Sequence, residues 1–186
     1  MKKRILALVL ALCMVFTLVA CGPKTENNDN QNNNNNNTDA KVIKIGVFEP
    51  LTGDSGAGGK KEYLGMQYAN SQSPTVEIGG ETYTIELVPS DNNSDQAKAV
   101  SAASNLVNAN VSLVLGSYGS GVSIAASETF NDAGLAAIGV TCTNPGVTAG
   151  NDHYFRICFL DPFQGTVLAN YAADLGAKKA YCLGEL

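Results

Sequence analysis

The stretch "VIKIGVFEPLTGDSGAGGKKEYLGMQYA", residues 42–69, predicts the fold because it joins a strand to a helix through a glycine-rich loop. The run Val42–Phe48 is mostly apolar and rich in β-branched residues, which is typical of a buried strand. From Gly59 to Asn70 the apolar residues have helical spacing. A strand followed by a helix begins a β-α-β unit, from which parallel sheets are built.

Further strand and helix patterns continue this alternation along the chain. The second helical pattern opens with a Ser94 or Asp95 cap, and the third opens with Ser120 and ends at Gly134, as a capped helix does. The order β-α-β-α-β-α-β predicts right-handed crossovers and an α/β fold with a doubly wound parallel sheet. The additional strands are residues 83–90, which follow the turn signal Gly79–Gly80, 111–116 and 135–140; the helices are residues 94–110 and 120–134.

Four loops follow the carboxyl ends of the predicted strands: "EPLTGDSGAGG", "SDNNSD", "GSYGSG" and "TCTNPG". In an open parallel sheet, ligands bind beyond those ends, so we expect the loops to converge on one crevice. All four are rich in Gly, Ser, Thr or Asn, which supply hydrogen-bond donors, acceptors and close backbone approach. They do not supply acid–base chemistry.

The first loop resembles a phosphate-binding loop only at first glance. A Walker A motif requires Ser or Thr after Gly-Lys, but Gly59 and Lys60 are followed by Lys61, and Asp54 stands where the first glycine belongs. The dinucleotide motif G-x-G-x-x-G fails as well, because its last position is Lys61. We therefore predict no nucleotide and no other cofactor.

A catalytic serine is not supported by the surrounding residues either. The hydrolase motif G-x-S-x-G needs glycine two residues before the serine, where Ser120 has Tyr118 and Ser117 has Leu115. His153 is the only histidine, and a lone histidine is more often a surface or core residue than a catalytic base. The prediction is a protein that is not an enzyme, with an exported serine hydrolase as a less favoured alternative.

Three hydroxyl side chains are candidates for binding a small zwitterion. Ser120 opens a helix, where free N–H groups and the helix dipole favour an anion such as a carboxylate, although it can also be merely an N-cap. Thr141 and Thr143 point the same way if the chain is extended. Their hydroxyl and carbonyl oxygens can hold an ammonium and a carboxylate; the alternative is that both threonines face solvent.

The N-terminus predicts export. Residues 1–20 have a basic start and then an apolar run too short for a spanning helix, as in a secretory signal peptide. The end of this run, "LVAC", resembles a bacterial lipobox, so Cys21 is predicted to carry lipid; the alternative is an ordinary signal with an incidental cysteine. Residues 21–40, rich in Asn, are predicted to form a flexible tether.

Charge and the remaining cysteines restrict the partners. Removal of the three cations in the signal changes the net charge from −5 to −8, which argues against nucleic acid or anionic lipid as the main partner. Cys142, Cys158 and Cys182 have no C-x-x-C spacing, so no metal site is predicted. One pair can form a disulfide outside the cytoplasm, but the sequence does not say which.

Taken together, these segments resemble the type I periplasmic binding proteins, the leucine-binding family that serves ABC transporters for branched-chain amino acids. The first stretch is similar to the G-x-x-x-P-L-T-G-D opening of the family, and the resemblance continues to the end of the chain. The matching segments are "IGVFEPLTGDSGAGGKKEYLGMQYA", "IGGETYTIELVPSDNNSDQAKAVSAASNLV", "VSLVLGSYGSGVSIAAS" and "DPFQG".

The resemblance implies a set of ligand-binding positions. Ser120 falls on the serine that grips the ligand carboxylate, Thr143 on the threonine that assists it, and Thr141 on the position whose carbonyl meets the ammonium. Tyr118 falls on an apolar pocket position, with Gly119 beside it in the binding turn. Many relatives have a ligand-facing aromatic residue where this chain has Gly58, so we expect one wall of the pocket to be open.

The resemblance also implies a function and a domain organisation. Residues 41–158 correspond to the ligand-binding lobe, and residues 159–186 to the crossover and the start of a truncated second lobe, with one helix and one strand that leave an apolar face uncovered. The expected protein is a monomeric lipoprotein on the outer face of the bacterial cell membrane, which captures an amino acid for an ABC permease. A solute sensor of the same fold for a signalling receptor is the alternative. As a fragment, the chain is expected to bind weakly or not at all.

Overall fold

The structure is a computed structural model, and it describes residues 41–184. The signal peptide, Cys21 and the tether predicted above lie outside these residues. Within residues 41–184, no helix has the length and apolar character needed to cross a membrane. The strands are β1 Val42–Glu49, β2 Thr75–Ile78, β3 Glu81–Asp91, β4 Leu113–Leu115, β5 Ala137–Gly139 and β6 Tyr154–Arg156; the helices are α1 Gly56–Gln72, α2 Gln96–Asn108, α3 Ser120–Asp132 and α4 Asp161–Asp174.

The strands form one sheet in the order β2-β3-β1-β4-β5-β6. All neighbours pair in parallel except β2 and β3, which form an antiparallel hairpin. Gly79 and Gly80 form the turn of this hairpin with φ angles of 61° and 82°, a conformation that favours glycine. The predicted α/β fold with a parallel sheet is confirmed, and β2 is an edge strand that the alternation did not predict.

Alternate residues of β1 point to opposite faces of the sheet. Phe48 faces α2 and α3, and its ring packs edge-on against Phe130 with centroids 5.4 Å apart. Ile45 and Glu49 face α1, where Glu49 lies beside Glu62. The hydrophobic core is on the α2/α3 side; its largest members are Phe48, Leu106, Val114, Phe130, Val147 and Tyr154.

The α1 side of the sheet is less well covered. Helix α1 buries only Gly56 and Gly59. A groove of about 570 Å³ remains between α1 and the sheet. The residues that line it include Ile45, Met66, Leu87, Leu115, Ile138 and Ile157. We call this space the open groove.

Several predicted boundaries are wrong. Helix α1 begins at Gly56, because the N–H groups of Gly58 and Gly59 already bond to the carbonyl of Ser55, and it therefore includes part of the glycine-rich loop. Residues 154–156 pair with β5 as a sixth strand. The predicted strand of the second lobe does not form, since residues 177–184 are neither helix nor strand.

The helix predicted within residues 159–186 forms as α4, and none of its residues is buried. Its apolar side chains Phe163, Val167, Leu168 and Tyr171 are all exposed. An exposed apolar face here agrees with the expectation from the sequence.

Candidate functional site

Hydrogen bonds join the four loops at the carboxyl edge of the sheet. The Asp91 carboxylate accepts hydrogen bonds from the Leu51 N–H at 2.8 Å and the Thr52 hydroxyl at 2.6 Å, which fixes the first loop to the second. Burial alone would raise the pKa of Asp91, but these hydrogen bonds outweigh it and lower the pKa. The amide of Asn92 donates to the Ser117 hydroxyl at 3.0 Å and so joins the second loop to the third.

The third and fourth loops carry the residues predicted to bind ligand, and they touch each other. The Ser120 hydroxyl accepts a hydrogen bond from the Asn144 N–H at 3.3 Å. The Thr141 hydroxyl lies 3.4 Å from the Tyr118 carbonyl oxygen. Thr143 precedes Asn144 in the same loop. Tyr118, Gly119, Ser120, Thr141 and Thr143 therefore lie in two adjoining loops, as the prediction required, while their contacts with a ligand remain a prediction.

Ser120 does not cap its helix. Helix α3 begins at Ser120 as predicted, but Gly119 is the N-cap residue, and its carbonyl oxygen accepts from the N–H and the hydroxyl of Ser123. Because Ser120 Oγ accepts from Asn144, the hydroxyl hydrogen of Ser120 remains available to donate. At the N-terminus of α3 that donor adds to the positive end of the helix dipole.

The space beside Gly58 is filled by the side chain of Tyr118 from the third loop. A Cβ atom on Gly58 would lie 2.6 Å from ring atoms of Tyr118, so no side chain fits there while Tyr118 keeps this position. The ring is 44% exposed, which leaves part of its surface available for contact. The space at Gly58, which was expected to be open, is therefore occupied by the ring of Tyr118.

Two acidic residues at the carboxyl edge of the sheet, Glu49 and Glu62, were not identified from the sequence. Glu49, the last residue of β1, is completely buried, and its Oε2 accepts a hydrogen bond from the Tyr118 N–H at 2.9 Å. Glu62 projects from α1, and its Oε1 accepts from the Thr141 hydroxyl at 2.5 Å. Burial, and then the charge of the neighbouring Glu62, raise the pKa of Glu49 to about 9.

A signal for Glu49 was present in the sequence. In β1, residues 45, 47 and 49 share one face, so a carboxylate at position 49 extends a row of apolar residues, Ile45 and Val47. A buried carboxyl group needs a partner. Glu62 could not be identified as that partner, because the contact depends on where α1 lies across the sheet.

The residues of the hydrolase alternative do not come together. His153 accompanies Asn131 at the C-terminal end of α3, with His153 Nδ1 at 3.0 Å from Asn131 Oδ1. Ser120 begins the same helix, so about 16 Å of helix separate the two ends.

Cys142, Cys158 and Cys182 are free thiols in the structure. Among residues 41–184, no group of His, Cys, Asp and Glu is arranged to hold a metal ion.

Comparison with known proteins gives consistent matches. The sequence profile of the family described as periplasmic binding protein matches residues 42–185. The chain is 34% identical over 133 residues to Leu/Ile/Val-binding protein homolog 2 of Brucella abortus, covering 71% of this chain and 36% of that protein. It is 36% identical over 141 residues to an amino acid binding protein of Pseudomonas aeruginosa, covering 74% of this chain and 37% of that protein.

Solved structures agree. The leucine binding protein LivK of Thermotoga maritima is 35% identical with a TM-score of 0.68, over 74% of this chain and 39% of that one. The substrate binding protein LivJ of Streptococcus pneumoniae, solved with isoleucine, is 36% identical with a TM-score of 0.65, over 72% and 38%. The chain thus spans less than two fifths of the length of these proteins. The match over residues 42–185 shows that the chain belongs to the periplasmic binding protein family.

Proposed function

We propose that residues 41–158 are the ligand-binding lobe of a protein that captures an amino acid, branched-chain or similar, without chemically changing it. The observation that carries this proposal is the contact between the loops of Tyr118, Ser120 and Thr141 at the carboxyl edge of the sheet. The names of relatives that bind leucine, isoleucine or valine support the ligand class.

In the proposed complex, the Ser120 hydroxyl and the free N–H groups of α3 bind the ligand carboxylate, and Thr143 assists. The backbone carbonyl of Thr141 accepts from the ligand ammonium. The ring of Tyr118 packs against the apolar side chain. A second lobe would close over the ligand, and binding would shift the population from open to closed forms.

The proposed setting is the outer face of a bacterial membrane. Residues 1–20 would direct export, and lipid on Cys21 would hold the protein at the membrane through the tether of residues 21–40. At the membrane, the protein would deliver the captured amino acid to an ABC permease. Replacement of Cys21 by Ser is expected to move the protein from the membrane fraction to the soluble fraction, and continued membrane association would contradict the anchor.

The binding site is tested by calorimetric titration of L-leucine, L-isoleucine and L-valine into the full-length protein, meaning the natural chain with any residues that follow Leu186. The Ser120→Ala variant should bind about 1–3 kcal/mol more weakly, because a hydrogen bond to a charged group is lost. Ser101→Ala is the control, since Ser101 is exposed on α2. Equal affinity of Ser120→Ala and wild type would show that Ser120 does not hold the carboxylate.

A further inference from the structure

We propose that Glu62, held in place by Glu49, makes this lobe select ligands that carry a protonated amine. This inference rests on the proposed function, because it assumes that the loop of Thr141 contacts the ligand. It adds a residue that the resemblance did not supply, since the ligand-binding positions implied there lie in the third and fourth loops.

The two carboxyl groups form a hydrogen-bonded chain with both of those loops. At one end the Tyr118 N–H donates to Glu49 Oε2, at 2.9 Å. At the other end the Thr141 hydroxyl donates to Glu62 Oε1, at 2.5 Å. Glu49 and Glu62 connect these ends, because their carboxyl groups are within hydrogen-bonding reach of each other. The chain therefore runs from the third loop to the fourth through β1 and α1.

The connection between the carboxyl groups requires a proton. Glu49 Oε1 and Glu62 Oε2 are both buried, and neither has a hydrogen-bond donor among the described residues. Two carboxylates cannot donate to each other, but one proton on Glu49 Oε1 would satisfy both oxygens. The raised pKa of Glu49 agrees with a neutral Glu49 near pH 7. The pair then carries a single negative charge, on Glu62.

This arrangement determines what Thr141 can offer a ligand. A hydroxyl group has one hydrogen to donate, and that of Thr141 is directed to Glu62, so the lone pairs of Oγ1 are left to accept. Thr141 is itself exposed at the edge of the sheet. An approaching group must therefore be a donor, and the negative charge one hydrogen bond behind Thr141 favours a cation. A protonated amine meets both conditions, whereas a 2-oxo acid meets neither.

A simpler explanation is that the hydrogen bonds through Glu49 and Glu62 only hold the third and fourth loops in place. Bracing would affect every ligand equally, whereas selection through Glu62 affects ligands with an amine. The comparison of an amino acid with its 2-oxo acid separates these cases, because the two molecules share the carboxylate and the side chain.

The test measures the affinities of L-leucine, L-isoleucine, L-valine and their 2-oxo acids for the full-length protein by calorimetry. In the Glu62→Gln variant, the affinity for amino acids should fall about 10- to 100-fold, with little change for the oxo acids. Thr141→Val, which replaces the hydroxyl by a methyl group, should shift the ratio of amino-acid to oxo-acid affinity in the same direction, and it provides the test if Glu62→Gln folds poorly. Glu128→Gln, the same charge change at an exposed position of α3, is the control.

Each result is decisive. An equal loss for both ligand classes in Glu62→Gln and Thr141→Val, or no loss, overturns the role of Glu62 while leaving the proposed function intact. A wild-type protein that binds neither class overturns the proposed function and this role together. Loss confined to the amino acids supports selection through Glu62.

Discussion

The two faces of the sheet are built from alternate residues of the same strands, yet one is closed and the other is partly open. On the α2/α3 side, Phe48 and Phe130 are completely buried. On the α1 side, Ile157 lines the open groove and is 75% exposed. Burial of apolar surface is the dominant favourable term in folding. The difference therefore indicates that side chains on the α2/α3 side contribute most of the folding free energy of residues 41–184.

The α1 side contains the buried carboxyl group of the candidate site, that of Glu49. Phe48 and Glu49 are neighbours in β1 and both are completely buried, but Phe48 contacts the ring of Phe130 while Glu49 contacts Glu62. A position in the apolar core contributes to stability, whereas a buried carboxyl group costs free energy unless it is paired and hydrogen-bonded. The α2/α3 face therefore supplies the stabilising apolar core, whereas the less well covered α1 face holds a buried carboxyl group of the candidate site.

The largest expected effect separates the two faces directly. Phe130→Ala should lower the free energy of unfolding by about 3–5 kcal/mol, because it leaves a cavity among Phe48 and Tyr154. Ile157→Ala, at an exposed position of the open groove, should change it by less than about 0.5 kcal/mol. Urea unfolding of both variants measures the difference. Similar losses would show that the open groove is covered in solution.

The next effect concerns the buried carboxyl group on the α1 side. Because the pKa of Glu49 is raised in the folded protein, its contribution to stability is fully present below its ordinary value of 4.5 and is lost as the pH rises toward 9. Unfolding by urea should therefore become easier from pH 6 to pH 8, by at most about 3 kcal/mol.

The variant Glu49→Gln tests whether Glu49 causes this dependence of the free energy of unfolding on pH. Gln is neutral, and it can still accept from Tyr118 and donate to Glu62, so its stability should depend less on pH in this interval. The titratable groups that face Glu49 are Glu62 from α1 and Tyr154 from β6. Burial raises the pKa of Tyr154 and keeps it neutral there. An unchanged slope in Glu49→Gln would mean that another group titrates.

A third comparison tests the aromatic wall at the edge of the α1 side. Gly58→Tyr should destabilise the fold by about 1–3 kcal/mol, because the new side chain overlaps the ring of Tyr118. Combined with Tyr118→Ala, the same substitution should cost less, since the space has been vacated. A double-mutant cycle in urea measures the coupling. Additive losses would contradict the contact between positions 58 and 118.

The sequence predicted the features that depend on local patterns. The alternation of strands and helices, the position of the loops and the turn at Gly79–Gly80 follow from periodicity and backbone preference. The β2 edge strand and the place of β6 were missed because strands of only four and three residues have weak patterns. The Glu49–Glu62 pair and the contact of Tyr118 with Gly58 depend on how α1 lies against β1 and the third loop, which no local pattern contains.

The smallest expected effect lies at the N-terminus of α2, on the closed face of the sheet. The sequence left Ser94 and Asp95 as alternative caps of this helix. The structure identifies Asp95, whose carboxylate accepts from the N–H groups of Ala97 at 2.8 Å and Lys98 at 3.2 Å. Asp95→Ala should cost about 1 kcal/mol, because these N–H groups lose their acceptor, whereas Asp95→Asn keeps a capping oxygen and should cost much less. Urea unfolding distinguishes the two variants. Equal losses would mean that the charge of Asp95 at the helix N-terminus, rather than its hydrogen bonds, stabilises α2.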